Sequence, residues 1–271
     1  MAMDITAAKD HWLDSMGPCP KLDPKKGKVH RVLVADISTN YMSQVPWNSS
    51  TDAVFNDTKL SLPLRLKVLH GPHLSRRLTF GVLLRDPLTR MQSAWHHGKR
   101  HNFEDICNEC NREGFGKALA EAVDRAEVAD GAVVVADAWL WQSMYARHLE
   151  GWLQHFDASQ FYIMLKSHME TRPVSVCRDL RKQLHVSWNC SHFQGGETGK
   201  LNKGVHRLDP LAGGDLPLDV HAKFQKLMSM ENRRLLEVLL RMHSGGGHLI
   251  GFYSPQPTKQ NLLDWLEKDW Y

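Results

Sequence analysis

The chain has 271 residues, of which 42% are hydrophobic and 24% charged. That length can bury a sizeable core in one large domain or two small ones without obligatory staples, and the ordinary globular composition excludes a disordered, collagenous or coiled-coil chain. The formal net charge of +4, with His counted neutral, is too small to argue for nucleic acid but is compatible with an anionic ligand in a local basic site.

No apolar run approaches the roughly 18 residues of a membrane span. The richest stretch, Gly131 to Trp141, is short and contains Asp137. Met1-Ala2-Met3-Asp4-Ile5 has no basic cap before an apolar block, so no signal peptide is expected.

Residues 1–28 are polar and Pro/Lys-rich toward their end and read as an irregular arm. The expected domain covers residues 29–253. Val29 to Ala35 reads as a short buried strand, and Leu62 to His70 as a short helix started near Pro63. Leu78 to Leu84 is an apolar strand candidate. Asp86-Pro87 then supplies a favoured N-cap and a favoured first helical residue, for a helix running to about His97. Phe115 to Glu127 is a further helix candidate. Ala138 to His155 carries Leu140, Met144, Leu149, Trp152 and Leu153 at helical spacing. Phe161 to Leu165 reads as a strand, and Pro173 to Leu184 as a helix started by its proline. Gly195 to Gly214 is a polar, Gly-rich loop. Val220 to Met242 is a long helix stopped by Gly245-Gly246-Gly247. Residues 254–271 form a Pro-punctuated tail with a short amphipathic end. Strands alternating with helices predict an α/β fold with a central, largely parallel sheet flanked by helices. Ligands of such sheets sit at the carboxyl ends of strands, near helix N-termini.

Five cysteines are present. Cys107-x-x-Cys110 has zinc or redox spacing, but no second such pair exists, so a four-ligand site would need histidines from elsewhere; no metal is expected. Cys177 and Cys190 flank a hairpin-like segment and could pair. Asn48-Ser49-Ser50, Asn56-Asp57-Thr58 and Asn189-Cys190-Ser191 are sequons of the kind found in secretory proteins.

The segment that carries chemistry is Leu83-Leu84-Arg85-Asp86-Pro87-Leu88-Thr89-Arg90-Met91-Gln92-Ser93-Ala94-Trp95-His96-His97. An apolar strand delivers Arg85 to its carboxyl end, where Asp86 caps and Pro87 opens a helix. Ser93 lies about two turns further on. Arg is suited to bidentate phosphate recognition and Ser supplies a neutral donor. The plainer reading of the same residues is an Arg–Asp salt bridge at a helix start, with Ser93 buried or solvated.

This segment resembles the 3′-phosphate motif of sulfotransferases, Arg-Asp-Pro-x-x-Arg-x-x-Ser. Other segments are collinear with the carbohydrate, heparan-sulfate-like branch of that family. Ala35 to Tyr41 is similar to its Glu-Lys-Thr-Pro-x-Tyr segment. Tyr145 to Phe156 is similar to its Tyr-x-x-x-Leu-x-x-Trp-Leu-x-x-Phe helix, and Ser159 to Met164 to the strand that follows. Gly199 to His206 resembles the Gly-Lys-Ser-Lys-Gly-Arg nucleotide loop, and Met230 to Leu235 a Pro-x-Asn-x-x-Leu helix. The set runs from about residue 29 to 242.

The resemblance implies a P-loop-like sulfotransferase fold and transfer of a sulfuryl group from 3′-phosphoadenosine 5′-phosphosulfate (PAPS) to a hydroxyl or amine of a carbohydrate. It implies that Arg85 and Ser93 hold the 3′-phosphate and that Lys203 and Gly204 belong to the nucleotide loop. It implies the Golgi lumen, although the family's membrane anchor is not found in these residues; no nucleic-acid partner is implied. The chain departs from the pattern in several places. The family's first strand and its Gly/Lys/Thr phosphosulfate loop are not found. Ile37 stands at the family's lysine, Ser167 at its acidic residue and Val205 at its loop arginine. No catalytic base carries over from the family. His96 and His97 follow the phosphate motif and are the candidates, histidine being a capable base near neutral pH; the plainer reading is that both lie on a helix surface. The alternative function is a non-catalytic sulfotransferase-like domain that binds the nucleotide or a glycan.

Overall fold

A strand needs residues that fit a pleated, half-buried surface, and three apolar runs supply them. In the computed structural model, which describes residues 62–101, 114–129, 132–134, 138–193, 217–252 and 257–270, β1 (Phe80–Leu84), β4 (Phe161–Leu165) and β5 (His248–Leu249) form a parallel sheet in the order β1-β4-β5. Phe80 pairs with Phe161 and Leu84 with Leu165. On β5, His248 and Leu249 pair with Tyr162 and Ile163. A second, antiparallel pair joins β2 (Glu127–Ala129) to β3 (Ala132–Val134). The expected strand at Val29 to Ala35, the segment Ala35 to Tyr41, the Cys107/Cys110 pair and the Gly195 to Gly214 loop with Lys203 and Gly204 lie outside the described residues.

The helices in chain order are α1 (Leu62–Ser75), α2 (Pro87–His101), α3 (Phe115–Arg125), α4 (Ala138–Trp141), α5 (Tyr145–Leu153), α6 (Lys166–Thr171), α7 (Pro173–Leu184), α8 (Leu218–Ser244) and α9 (Lys259–Trp270). The fold is α/β, a small parallel sheet flanked by helices. β4 and α7 have the expected bounds. Several other elements differ from their expected bounds, and three differ in character. α1 continues past His70 but breaks at Gly71, whose φ of 64° only glycine adopts at little cost. The helix expected over Ala138 to His155 is two helices: Met144 sits outside helical geometry, and Arg90 binds the Gln142 and Ser143 side chains at the break. The segment between Cys177 and Cys190 is not hairpin-like. It is the end of α7, closed by His185 in the left-handed region (φ 53°, ψ 40°), and a 3₁₀ turn at Cys190–Phe193. The two cysteines are joined as a disulfide.

Strand alternation decides which face meets the core. Leu84 is 1% exposed and its neighbour Leu83 46%. Phe80, Val82 and Leu84 turn inward with Phe161, Ile163 and Leu165, against Leu149, Trp152, Leu235, Leu239, Leu262 and Trp265. The opposite face of β4 is covered by α7 through Tyr162, Met164, Val176 and Leu180. A second cluster joins α2, α3, α4 and the first half of α8 through Met91, Trp95, Leu119, Leu140 and Phe224. α8 therefore runs through both clusters and is closed by the glycine run, where the Gly247 N–H donates to the Met242 carbonyl oxygen at 2.8 Å. A Cβ at Gly247 would lie 2.8 Å from that oxygen, so only glycine fits this turn.

The starts of β1 and β4 are fastened by one side chain. Gln160, buried just before β4, donates from Nε2 to the carbonyl oxygens of Ser75 and Leu78, both at 2.8 Å. Two backbone acceptors ahead of β1 are thereby satisfied without water, and the two strands start in step. Their carboxyl ends consequently emerge level, which is what positions the site. Among the described residues no helix is long and apolar enough to cross a membrane.

Candidate anion site at the carboxyl edge of the sheet

Asp86 lies between β1 and α2 and caps the helix. Its Oδ1 accepts from the Thr89 N–H at 2.7 Å, which satisfies one of the free donors of the helix's first turn. The Arg90 N–H donates to the Asp86 carbonyl oxygen at 2.9 Å, the first bond of the helical ladder. Burial raises the Asp86 carboxyl above its ordinary value, opposed by the hydrogen bonds from Thr89.

With the Asp86 carboxylate engaged in capping, the adjacent guanidinium turns elsewhere. Arg85 donates from Nε to Thr89 Oγ1 at 3.1 Å, and Thr89 Oγ1 donates in turn to the Asp86 carbonyl oxygen at 3.1 Å. The Arg85 carbonyl oxygen accepts from the Tyr145 hydroxyl at 2.9 Å. The Arg85–Asp86 salt bridge of the plainer reading is not formed, and no carboxylate of the described residues is ion-paired with Arg85. Burial lowers the Arg85 guanidinium below its ordinary value; the largest opposing influence is the negative charge of Glu170. A half-buried guanidinium held at Nε by Thr89 is suited to a multiply charged oxyanion.

Ser93 is half-buried on α2. It lies four residues beyond Thr89, so the two share a helix face. Arg85, Thr89 and Ser93 thus form a row from the strand end up the helix. Thr89 is the member that the spacing of the motif did not single out. Its signal was there in the sequence: a hydroxyl three residues after the capping Asp, where its own N–H is bound and its side chain faces back to the strand.

Arg90 has a different task. Nε donates to Ser143 Oγ at 2.7 Å and Nη1 to Gln142 Oε1 at 3.0 Å, so it ties α2 to the break between α4 and α5. Burial lowers its guanidinium and the positive charge of Arg85 pushes the same way. Burial also pushes the Tyr145 phenol up to about 12, so it stays protonated and remains a donor.

The histidines sit further off. His96 is half-buried, packed edge-on against Trp95 with ring centroids 4.9 Å apart. At 1.5 Å per residue it lies about 13 Å along the axis from Pro87, remote from the Arg85 end of the row. His97 follows on the same helix. The His96 side chain is not brought to the strand end with Arg85. The described residues contain no group of His, Cys, Asp and Glu side chains arranged to hold a metal ion. No protein-family model matches the sequence, and no curated protein shows significant similarity to it.

Proposed function

We propose that the chain is a sulfotransferase-type protein of the carbohydrate branch, using PAPS as sulfuryl donor and a carbohydrate hydroxyl or amine as acceptor. One observation carries this reading: Arg85 stands at the carboxyl edge of a parallel sheet, without a carboxylate ion pair among the described residues and bonded to Thr89 on the helix that carries Ser93. That is where the sequence motif calls for a phosphate-binding pair. In the reaction the acceptor oxygen or nitrogen attacks sulfur in line with the leaving oxygen. The new bond to sulfur forms as the bond from sulfur to the 5′-phosphate breaks. The products are the sulfated acceptor, 3′-phosphoadenosine 5′-phosphate and a proton taken from the acceptor. Charge grows on the leaving phosphate, so fixed cations and donors favour this step. Arg85 and Ser93 serve by holding the nucleotide at its 3′-phosphate, which orients the reacting end.

A luminal, oxidising location agrees with the Cys177–Cys190 disulfide and with the exposed Asn189 of the third sequon. The second reading, binding of nucleotide or glycan without turnover, is favoured by departures within the chain: Ile37 stands at the family's lysine and Ser167 at its acidic residue. The enzyme reading, and the second reading where the ligand is the nucleotide, require the 3′-phosphate contact. Calorimetric titration of the purified chain with 3′-phosphoadenosine 5′-phosphate, against 5′-AMP, tests it. Saturable binding that needs the 3′-phosphate is expected, and Arg85→Ala should weaken it by about 1.5–3 kcal/mol, the worth of a charged hydrogen bond. Equal binding of the two nucleotides would refute the enzyme reading and the nucleotide form of the second. Transfer of labelled sulfuryl from PAPS to a glycan then separates enzyme from binding domain.

A further inference from the structure

Leu84 stands opposite Leu165 in the parallel ladder, so Arg85 and Lys166 are the first residues beyond two adjacent strands. Such strands are about 4.8 Å apart. Two cationic residues therefore leave the carboxyl edge side by side, where parallel α/β sheets bind their ligands. Lys166 opens α6, and its ammonium is ion-paired with the Glu170 carboxylate one turn later. Both groups reach solvent, at 35% exposure for Lys166 and 61% for Glu170. An exposed pair of this spacing is weakly held and opens readily. The Glu170 carboxylate also acts on the Arg85 guanidinium. Arg85 and Lys166 bring two positive charges to this edge, and Glu170 cancels one. An incoming dianion would match both.

We propose that Lys166 is a second cation of the anion site, and that Glu170 is an internal counter-ion displaced by an arriving phosphate or sulfate group. This rests on the nucleotide reading above and deepens it. Lys166 is suited to the role as a mobile point charge beside the oriented fork of Arg85. Arg90, by contrast, is committed to Ser143 and Gln142. The arrangement has a consequence that a merely structural ion pair lacks. Removing the carboxylate charge should improve anion binding rather than leave it unchanged.

The test uses wild type, Lys166→Ala, Glu170→Gln and Arg85→Ala, titrated with 3′-phosphoadenosine 5′-phosphate by calorimetry. Inorganic sulfate, read by its shift of the melting temperature, is the second probe. Lys166→Ala should bind nucleotide about fivefold more weakly and Glu170→Gln about threefold more tightly, in proportion to partly exposed charges. Both effects should shrink in high salt. Wild-type affinity in both variants, with Arg85→Ala still impaired, would overturn this proposal and leave the nucleotide reading standing. Absence of nucleotide binding, with sulfate stabilising Glu170→Gln more than wild type and Lys166→Ala less, would uphold the two-cation site and remove the nucleotide. Equal sulfate shifts in all four proteins, with no nucleotide bound, would remove both.

Discussion

His148 is the residue whose chemistry is most altered by its surroundings. It is 1% exposed, and its Nε2 donates to the Trp141 carbonyl oxygen at 2.9 Å. The Trp141 ring meets it edge-on with centroids 5.0 Å apart. Burial pulls its pKa down to about 4, with the charges of Arg90 and Arg147 acting in the same direction. The folded protein therefore holds His148 neutral, while the unfolded chain binds a proton there near pH 6.5. Between these values the unfolded state carries more protons, so stability rises with pH. His148 should contribute its full share above about pH 6.5, lose it progressively down to about pH 4, and change nothing further below. The loss is on the order of 3 kcal/mol. Urea unfolding at a series of pH values checks this: His148→Leu should flatten the slope between pH 6.5 and 4 relative to wild type. The residue sits at the α4–α5 break, so its loss at low pH should loosen the elements that hold Arg90 and Tyr145.

At the scale of elements, two features brace the ends of the fold. α9 turns Leu262, Trp265 and Leu266 into the main cluster, with Trp265 edge-on to both His168 and Phe252. The amphipathic end of residues 254–271 is thus a core helix rather than a free tail. Its apolar face, read along the sequence at Leu262, Trp265 and Leu266, has helical spacing, and burial follows once α8 offers a groove. Trp265→Ala should cost about 3–5 kcal/mol, as for other large-to-small changes of buried aromatics; a shift of the urea midpoint at constant slope is the expected sign. At the other end, the disulfide fastens the 3₁₀ turn to α7, which covers the outer face of β4. A loop of 13 residues is worth about 3 kcal/mol when closed. Cys177→Ser with Cys190→Ser should lower stability by about that amount, and reduction of the wild type should lower it equally, while Arg85 and Ser93, on other elements, keep their nucleotide affinity.

Over the whole molecule, α8 is the beam shared by both clusters. Its first half buries Val220, Phe224, Leu227 and Met228 in one, and its second half Leu235, Leu236, Val238 and Leu239 in the other. Glu231, 4% exposed, lies at the changeover. Arg147 donates to it from Nε at 3.0 Å, with Nη2 at 3.0 Å from the same oxygen, and packs over the Trp141 ring at 5.7 Å from its centroid. Removing one member of a buried pair strands the other charge, whereas replacing both by apolar groups does not. Glu231→Ala should cost about 3 kcal/mol, and Arg147→Met with Glu231→Met together clearly less. A double-mutant cycle followed by denaturant unfolding measures the difference. If the double change Arg147→Met with Glu231→Met costs the sum of Arg147→Met and Glu231→Met measured singly, the pair would be a minor element of the seam.

Periodicity and punctuation were enough for most elements. The apolar run at Phe161 to Leu165, the proline at 173 and the glycines after Met242 act through local sterics and capping, which neighbouring residues alone determine. The same holds for the Asp86-Pro87 helix start that aims Arg85 at the carboxyl edge. The β2–β3 pair was not read, although Asp130-Gly131 between the strands is a hairpin dipeptide, because three-residue strands carry too few side chains for a visible alternation. What local sequence could not supply was every contact between distant segments: Gln160 with the turn before β1, Arg90 with the break that divides the expected helix, and Tyr145 with the Arg85 carbonyl oxygen. Nor could it pair Leu84 with Leu165, the register that sets Lys166 beside Arg85. Strand register and buried polar pairing depend on which surfaces meet, and only tertiary packing decides that. So the motif and the local bonds of Arg85 and Asp86 to Thr89 were legible along the chain, while the strand register that sets Lys166 beside Arg85 was decided by tertiary packing alone.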